Sequence, residues 1–131
     1  MLKLLFSHPS GTSGELVAVT TEMLASKGSR VTVSYVYADK AISGDDFLWY
    51  KQLPGQAPHF LLSHLGNGKP LKVKPGMSVS IASDRERVHL YMEEVSLEHS
   101  AVYYCAVRPT RLQRQGTREH REYTNEISQA Q

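Results

Sequence analysis

With 131 residues the chain has room for one domain with a single buried core, and 40% hydrophobic against 21% charged residues is the balance of a globular protein, not a disordered or collagenous one. A formal net charge of +2 is too weak to argue for nucleic acid, whose binders carry a clustered basic face. No apolar run approaches the roughly 20 residues of a membrane span, and the single cysteine excludes an internal disulfide.

The opening Met1-Leu2-Lys3-Leu4-Leu5-Phe6 breaks at Ser7-His8-Pro9-Ser10-Gly11. A secretory signal needs an apolar stretch of about 7 to 15 residues, so this segment reads as a truncated leader. Leu16-Val17-Ala18-Val19 is the first predicted strand. The second covers residues 31–36 and puts Val31, Val33 and Tyr35 on one face. Phe47-Leu48-Trp49-Tyr50-Lys51-Gln52, aromatic and strand-prone, is the third, closed by the turn Leu53-Pro54-Gly55-Gln56. Phe60-Leu61-Leu62 follows as a short strand and Gly66-Asn67-Gly68-Lys69-Pro70 as a loop. Met77, Val79 and Ile81 alternate, as do Val88, Leu90 and Met92, with Ser83-Asp84-Arg85-Glu86 as the hairpin between them. The last strand is residues 101–107. Beyond Arg108-Pro109 the composition turns to arginine, glutamate and glutamine, and residues 110–131 read as a flexible charged tail with little to bury. Short strands every 8 to 12 or so residues, with no convincing helical period, predict an all-β sandwich.

Catalytic chemistry finds no footing. The six histidines, His8, His59, His64, His89, His99 and His120, are scattered without metal-ligand spacing and read as exposed side chains. Cys105 lacks a positioned base and is expected to be an inert packing thiol. Gly66-Asn67-Gly68-Lys69 lacks the full spacing of a phosphate loop and opens no helix. The expectation is a non-enzyme without cofactor or metal.

Three blocks carry more. They are Gly28-x-x-Val31-x-Val33-x-Tyr35, Trp49-Tyr50-Lys51-Gln52-x-Pro54-Gly55-x-x-Pro58, and Ser100-Ala101-Val102-Tyr103-Tyr104-Cys105-Ala106-Val107-Arg108. Trp49 follows Tyr35 by 14 residues and Cys105 follows it by 70. Together these blocks resemble an immunoglobulin V-set domain, most of all a T-cell receptor alpha-chain variable region, over residues 14–109.

That resemblance implies an immunoglobulin-like V-type sandwich with a core of Tyr35, Trp49, Leu90, Tyr103 and Cys105. It gives Tyr103 the tyrosine corner. It puts Tyr35 where the first cysteine of an inter-sheet bridge belongs. On chain-entropy grounds the missing bridge forgoes about 4 kcal/mol, and a tyrosine in a cysteine slot adds an overpacking cost of roughly 1 to 3 kcal/mol. Two further departures stand out. His99 and Gly76-Met77 replace an Asp and an Arg that pair in the family, with Glu98 and Lys74 as the candidate substitute pair, and no Phe-Gly-x-Gly joining strand follows Arg108.

Function is likewise implied by the resemblance. Tyr50, Gln52, Pro58 and Tyr104 would face a second variable domain of the beta type. Asp39, Lys40, Ser43, Asp45, His64, Asn67 and Arg108 would lie on loops that meet peptide held by a major histocompatibility molecule. The domain would sit outside the cell, secreted or in a receptor complex on the plasma membrane, with no span of its own and no complete signal peptide. The alternative is an unrearranged or degenerate surrogate chain that pairs without reading antigen.

Overall fold

The structure, a computed structural model, describes residues 1–7 and 16–109. Ten strands follow one another in these residues. They are β1 (Leu2–Ser7), β2 (Leu16–Ala18), β3 (Glu22–Ala25), β4 (Val31–Tyr37) and β5 (Asp46–Gln52), then β6 (His59–Leu65), β7 (Pro70–Lys72), β8 (Met77–Ile81), β9 (Arg87–Met92) and β10 (Ala101–Arg108). A single 3-10 turn, Leu97–His99, precedes β10. One sheet runs β3-β1-β10-β5-β6-β7 and the other β2-β4-β9-β8. The fold is the all-β sandwich that the strand rhythm predicts, in the V-type immunoglobulin form that the resemblance implies.

Alternation builds the core. Val31, Val33, Tyr35 and Tyr37 point inward from β4, Val88, Leu90 and Met92 from β9, Phe47 and Trp49 from β5, and Tyr103 and Cys105 from β10, all buried. Trp49 lies opposite Cys105 in the β5–β10 ladder and meets the Tyr35 ring edge-on, centroids 5.5 Å apart. The Tyr103 hydroxyl donates to the His99 carbonyl at 2.7 Å, closing the tyrosine corner. All five expected core residues, Tyr35, Trp49, Leu90, Tyr103 and Cys105, are sealed from solvent.

The N-terminal segment departs from its reading as a leader remnant. Leu2, Leu4 and Phe6 are buried while Lys3 is exposed, a period-2 pattern that a strand uses and a leader does not need. β1 pairs in parallel with β10, Leu4 to Ser7 against Ala101 to Tyr104, and antiparallel with β3. It thus takes the position beside β10 where domains that resemble this one place a joining strand.

Tyr35 makes that arrangement specific. From β4, in the opposite sheet, its hydroxyl donates to the Ser7 carbonyl at the end of β1 and lies 3.2 Å from the Tyr103 carbonyl on β10. A disulfide would have joined β4 to β10 alone. The larger side chain reaches across the sandwich to both strands, and its buried hydroxyl is satisfied.

Sequence reading missed β3 and β7, each of only three or four residues. The expected Glu98–Lys74 pair does not form: the five salt bridges among the described residues all lie elsewhere. The predicted tail, residues 110–131, lies outside the described residues.

Candidate recognition and pairing surfaces

The outward face of the larger sheet gathers the expected pairing residues. Alternation turns Leu48, Tyr50 and Gln52 of β5 away from the core, with Val102, Tyr104 and Ala106 of β10 beside them, and the ladder sets Tyr104 against Tyr50 and Val102 against Gln52. On β6, Phe60 is the register partner of Tyr50 and meets its ring edge-on at 5.9 Å. Pro58 is exposed just before β6 begins. Tyr50, Gln52 and Tyr104 are each half-buried.

Gln52 organises this face from within the chain. Its amide oxygen accepts a 2.6 Å hydrogen bond from the Tyr104 hydroxyl, and its amide nitrogen donates to the Gln56 carbonyl at 2.9 Å. β1 extends the same face with Leu5, the register partner of Val102. Between β1 and the Leu53-Pro54-Gly55 turn lies a groove of about 470 Å³ with Leu5 and Val102 on its wall. Sequence reading missed Leu5 and Phe60 here. The alternation of Leu5 with buried Leu4 and Phe6 was the signal for the first.

At one end of the sandwich the connection between β4 and β5 meets that between β6 and β7. Asp39, Lys40 and Ser43 are exposed on the first of these, Asn67 on the second, and Arg108 at the end of β10. The Lys40 ammonium is 2.6 Å from Glu86. Arg108 donates to Asp46 at 2.6 Å, and that hydrogen bond holds its guanidinium still more firmly protonated than usual. The other Asp46 oxygen, Oδ1, is buried with no hydrogen-bond partner.

Two of the expected loop residues are not surface residues. Asp45 is fully buried. Its carboxylate accepts from the Ile42 amide at 3.0 Å and its carbonyl accepts from the Gly66 amide at 2.9 Å, so it fastens one loop to the other. Gly66 packs so closely there that a Cβ would lie 2.0 Å from the Ile42 carbonyl oxygen.

His64 is the second correction. It belongs to β6, not to a loop, and is fully buried. Its Nε2 accepts from the Trp49 indole at 3.0 Å, its Nδ1 lies 3.1 Å from the Leu65 carbonyl, and its ring stacks on Phe47 at 5.3 Å. Burial pushes its pKa down, with the Leu65 carbonyl and Asp46 pulling the other way. A buried tryptophan needs an acceptor for its N–H, and His64 supplies it.

Burial also pushes the Cys105 thiol well up, the state of a packing residue. Among the described residues no cluster of three or more His, Cys, Asp or Glu could hold a metal ion. No helix of these residues is long and apolar enough to cross a membrane.

Comparison with known proteins agrees with this fold. Residues 19–121 match the Immunoglobulin V-set domain. The chain is 30% identical over 110 residues to T cell receptor alpha variable 3 of Homo sapiens, covering 82% of this chain and 93% of that one. It is 31% identical over 112 residues to the Immunoglobulin omega chain of Mus musculus, covering 82% and 79%. Over a shorter stretch of 62 residues it is 40% identical to the Immunoglobulin iota chain of Mus musculus, covering 45% and 44%.

Proposed function

The chain belongs to the immunoglobulin V-set family, whose domains are in general non-enzymatic, and from that premise we propose that it is a variable domain of the T-cell receptor alpha type. In this reading it acts outside the cell. It pairs with a beta-type variable domain through the face of Tyr50, Gln52, Pro58 and Tyr104, and offers the loops bearing Asp39, Lys40, Ser43, Asn67 and Arg108 to peptide bound by a major histocompatibility molecule.

The observation that carries the reading is the Tyr104–Gln52 hydrogen bond at 2.6 Å on an outward face that also bears Tyr50, Leu48 and Phe60. A continuous aromatic and aliphatic sheet face, tied together by a hydrogen bond within the chain, is the form of surface that protein interfaces bury at their centres. Buried Asp45 and the tight Gly66 contact support the second half, because they fix two neighbouring loops relative to each other.

Coexpression with a beta-type variable domain, followed by size exclusion, tests the pairing. The wild-type chain is expected to co-elute, and Gln52→Arg or Tyr104→Asp to elute alone. A strictly monomeric wild type, or a complex that neither substitution disturbs, removes the proposal.

A specific observation favours a second reading, a surrogate chain that pairs without reading antigen. The strand beside β10 is β1, from the N-terminus, where a rearranged receptor places its joining strand. Capture of the paired complex on immobilised peptide–histocompatibility molecules separates the two: only the receptor reading requires binding that changes with the peptide.

A further inference from the structure

From Phe47 to Ser83 the sequence holds Lys51, Lys69, Lys72 and Lys74 and not one Asp or Glu. The fold collects most of this charge at one side of the sandwich. β7 is the edge strand of the larger sheet and β8 the edge strand of the smaller, and residues 73–76 join them. Residues 69–76 are exposed without interruption. Lys69, Lys72 and Lys74 enter none of the salt bridges among the described residues.

Apolar side chains lie between these cations. Leu71 is 49% exposed and Val73 76% exposed. Beside them a crevice of about 150 Å³ opens between the two edge strands, with Leu62, Val73, Met77 and Val79 on its walls and Lys72 and Lys74 among its lining residues. Lysine on an edge strand blunts strand-to-strand aggregation, which accounts for Lys72. It gives no reason for Leu71 and Val73 to stand in water next to it.

Cations that flank exposed aliphatic side chains suit a surface that is anionic outside and hydrocarbon just beneath. We infer that the β7–β8 edge docks on an anionic lipid bilayer, with Lys69, Lys72 and Lys74 against the headgroup phosphates and carboxylates and with Leu71 and Val73 at the acyl boundary. This inference does not depend on the pairing face, which lies on β5 and β10.

Sedimentation of the full chain with vesicles tests it. Binding is expected to vesicles of phosphatidylcholine with phosphatidylserine, not to phosphatidylcholine alone, and to weaken as salt rises. With each surface lysine contributing to the attraction, Lys72→Glu with Lys74→Glu should lower the affinity at least about tenfold. Val73→Asp should also weaken it, and Lys3→Glu, on β1 with three strands between it and β7, should leave it within about twofold. Circular dichroism confirms that the variants fold, and the salt titration of the wild type needs no variant at all. Equal binding to both vesicle types, binding indifferent to salt, or an unaffected double variant overturns the inference. So does complete displacement by millimolar inorganic phosphate, which would mark a phosphate site, or equal retention on polyglutamate, which would mark an acidic protein partner.

Discussion

The Trp49 indole donates its N–H to Nε2 of His64 at 3.0 Å in the sealed core of the domain. With the Leu65 carbonyl facing Nδ1, the imidazole is neutral, its proton on Nδ1 and its free lone pair on Nε2. Protonation would place two N–H groups face to face and a charge against Phe47.

Acid should therefore act on this core. The folded pKa of His64 is lowered by burial, whereas the unfolded imidazole titrates near 6.5. Below about that pH the unfolded chain takes up a proton that the folded chain refuses, so stability is complete above it and falls as pH drops toward the folded value. Thermal midpoints at stepped pH for wild type and His64→Phe check this. The variant should be less stable by about 1 to 3 kcal/mol at neutral pH, because the Trp49 N–H loses its acceptor, and its midpoint should fall less between about pH 6.5 and 5. Parallel acid limbs in the two proteins would assign the sensitivity to other groups.

The loop end makes a second prediction. At Gly66 an added Cβ would meet the Ile42 carbonyl oxygen at 2.0 Å, and the obstacle is backbone, which cannot rotate aside. Gly66→Ala should push the β4–β5 connection from the β6–β7 connection and break the Gly66–Asp45 hydrogen bond, at a cost of about 1 to 3 kcal/mol. Hydrogen exchange should show faster exchange at residues 42–46 with β9 and β10 unchanged. An unaltered midpoint and unaltered protection would mean that the two loops are not locked together.

Much of this fold was legible because its signals are local and evenly spaced. Trp49, Tyr103 and Cys105 lie in strands of alternating polarity, and the family resemblance that their spacing from Tyr35 helps to carry implied one shared core. His64 was not legible, because a histidine after Ser63 in a chain rich in turn residues reads as polar loop, and its partner lies 15 positions away. Asp45 misled in the same way: a carboxylate beside Gly44 looks solvated until the Ile42 amide that donates to it is seen. β1 carried its period-2 signal openly in Leu2, Leu4 and Phe6, but an apolar N-terminus with one lysine also fits a leader, and only the neighbouring edge of β10 distinguishes the two.

Tyr35 allows the two possible ties across the sandwich to be compared. Tyr35→Phe keeps the ring on Trp49 and loses the hydroxyl, so about 1 to 2 kcal/mol should disappear, and hydrogen exchange should quicken in β1 above all. Tyr35→Cys should instead bridge to Cys105, closing a loop of about 70 residues that is worth about 4 kcal/mol. Its midpoint should rise and its free thiol titre fall to none, while β1, relieved of its anchor, exchanges faster than in the wild type. A persistent reactive thiol in Tyr35→Cys would mean that the two positions do not face each other.

Deleting residues 1–7 decides whether β1 is a structural strand or a leader remnant. Leu2, Leu4 and Phe6 are buried to within 5% of full coverage, and burying each such side chain contributes roughly 1.5 to 3 kcal/mol. Their loss would also bare the edge of β10 from Ala101 to Tyr104 and strand the Tyr35 hydroxyl without its Ser7 acceptor. These terms add to several kcal/mol, a large part of the roughly 5 to 15 kcal/mol that holds a domain together. The truncated chain is therefore expected to unfold many degrees lower, or to associate through the exposed edge, as thermal scans and light scattering would read. A truncated protein that matches the full chain in midpoint and remains monomeric would return residues 1–7 to the leader and leave β10 as the natural edge of its sheet.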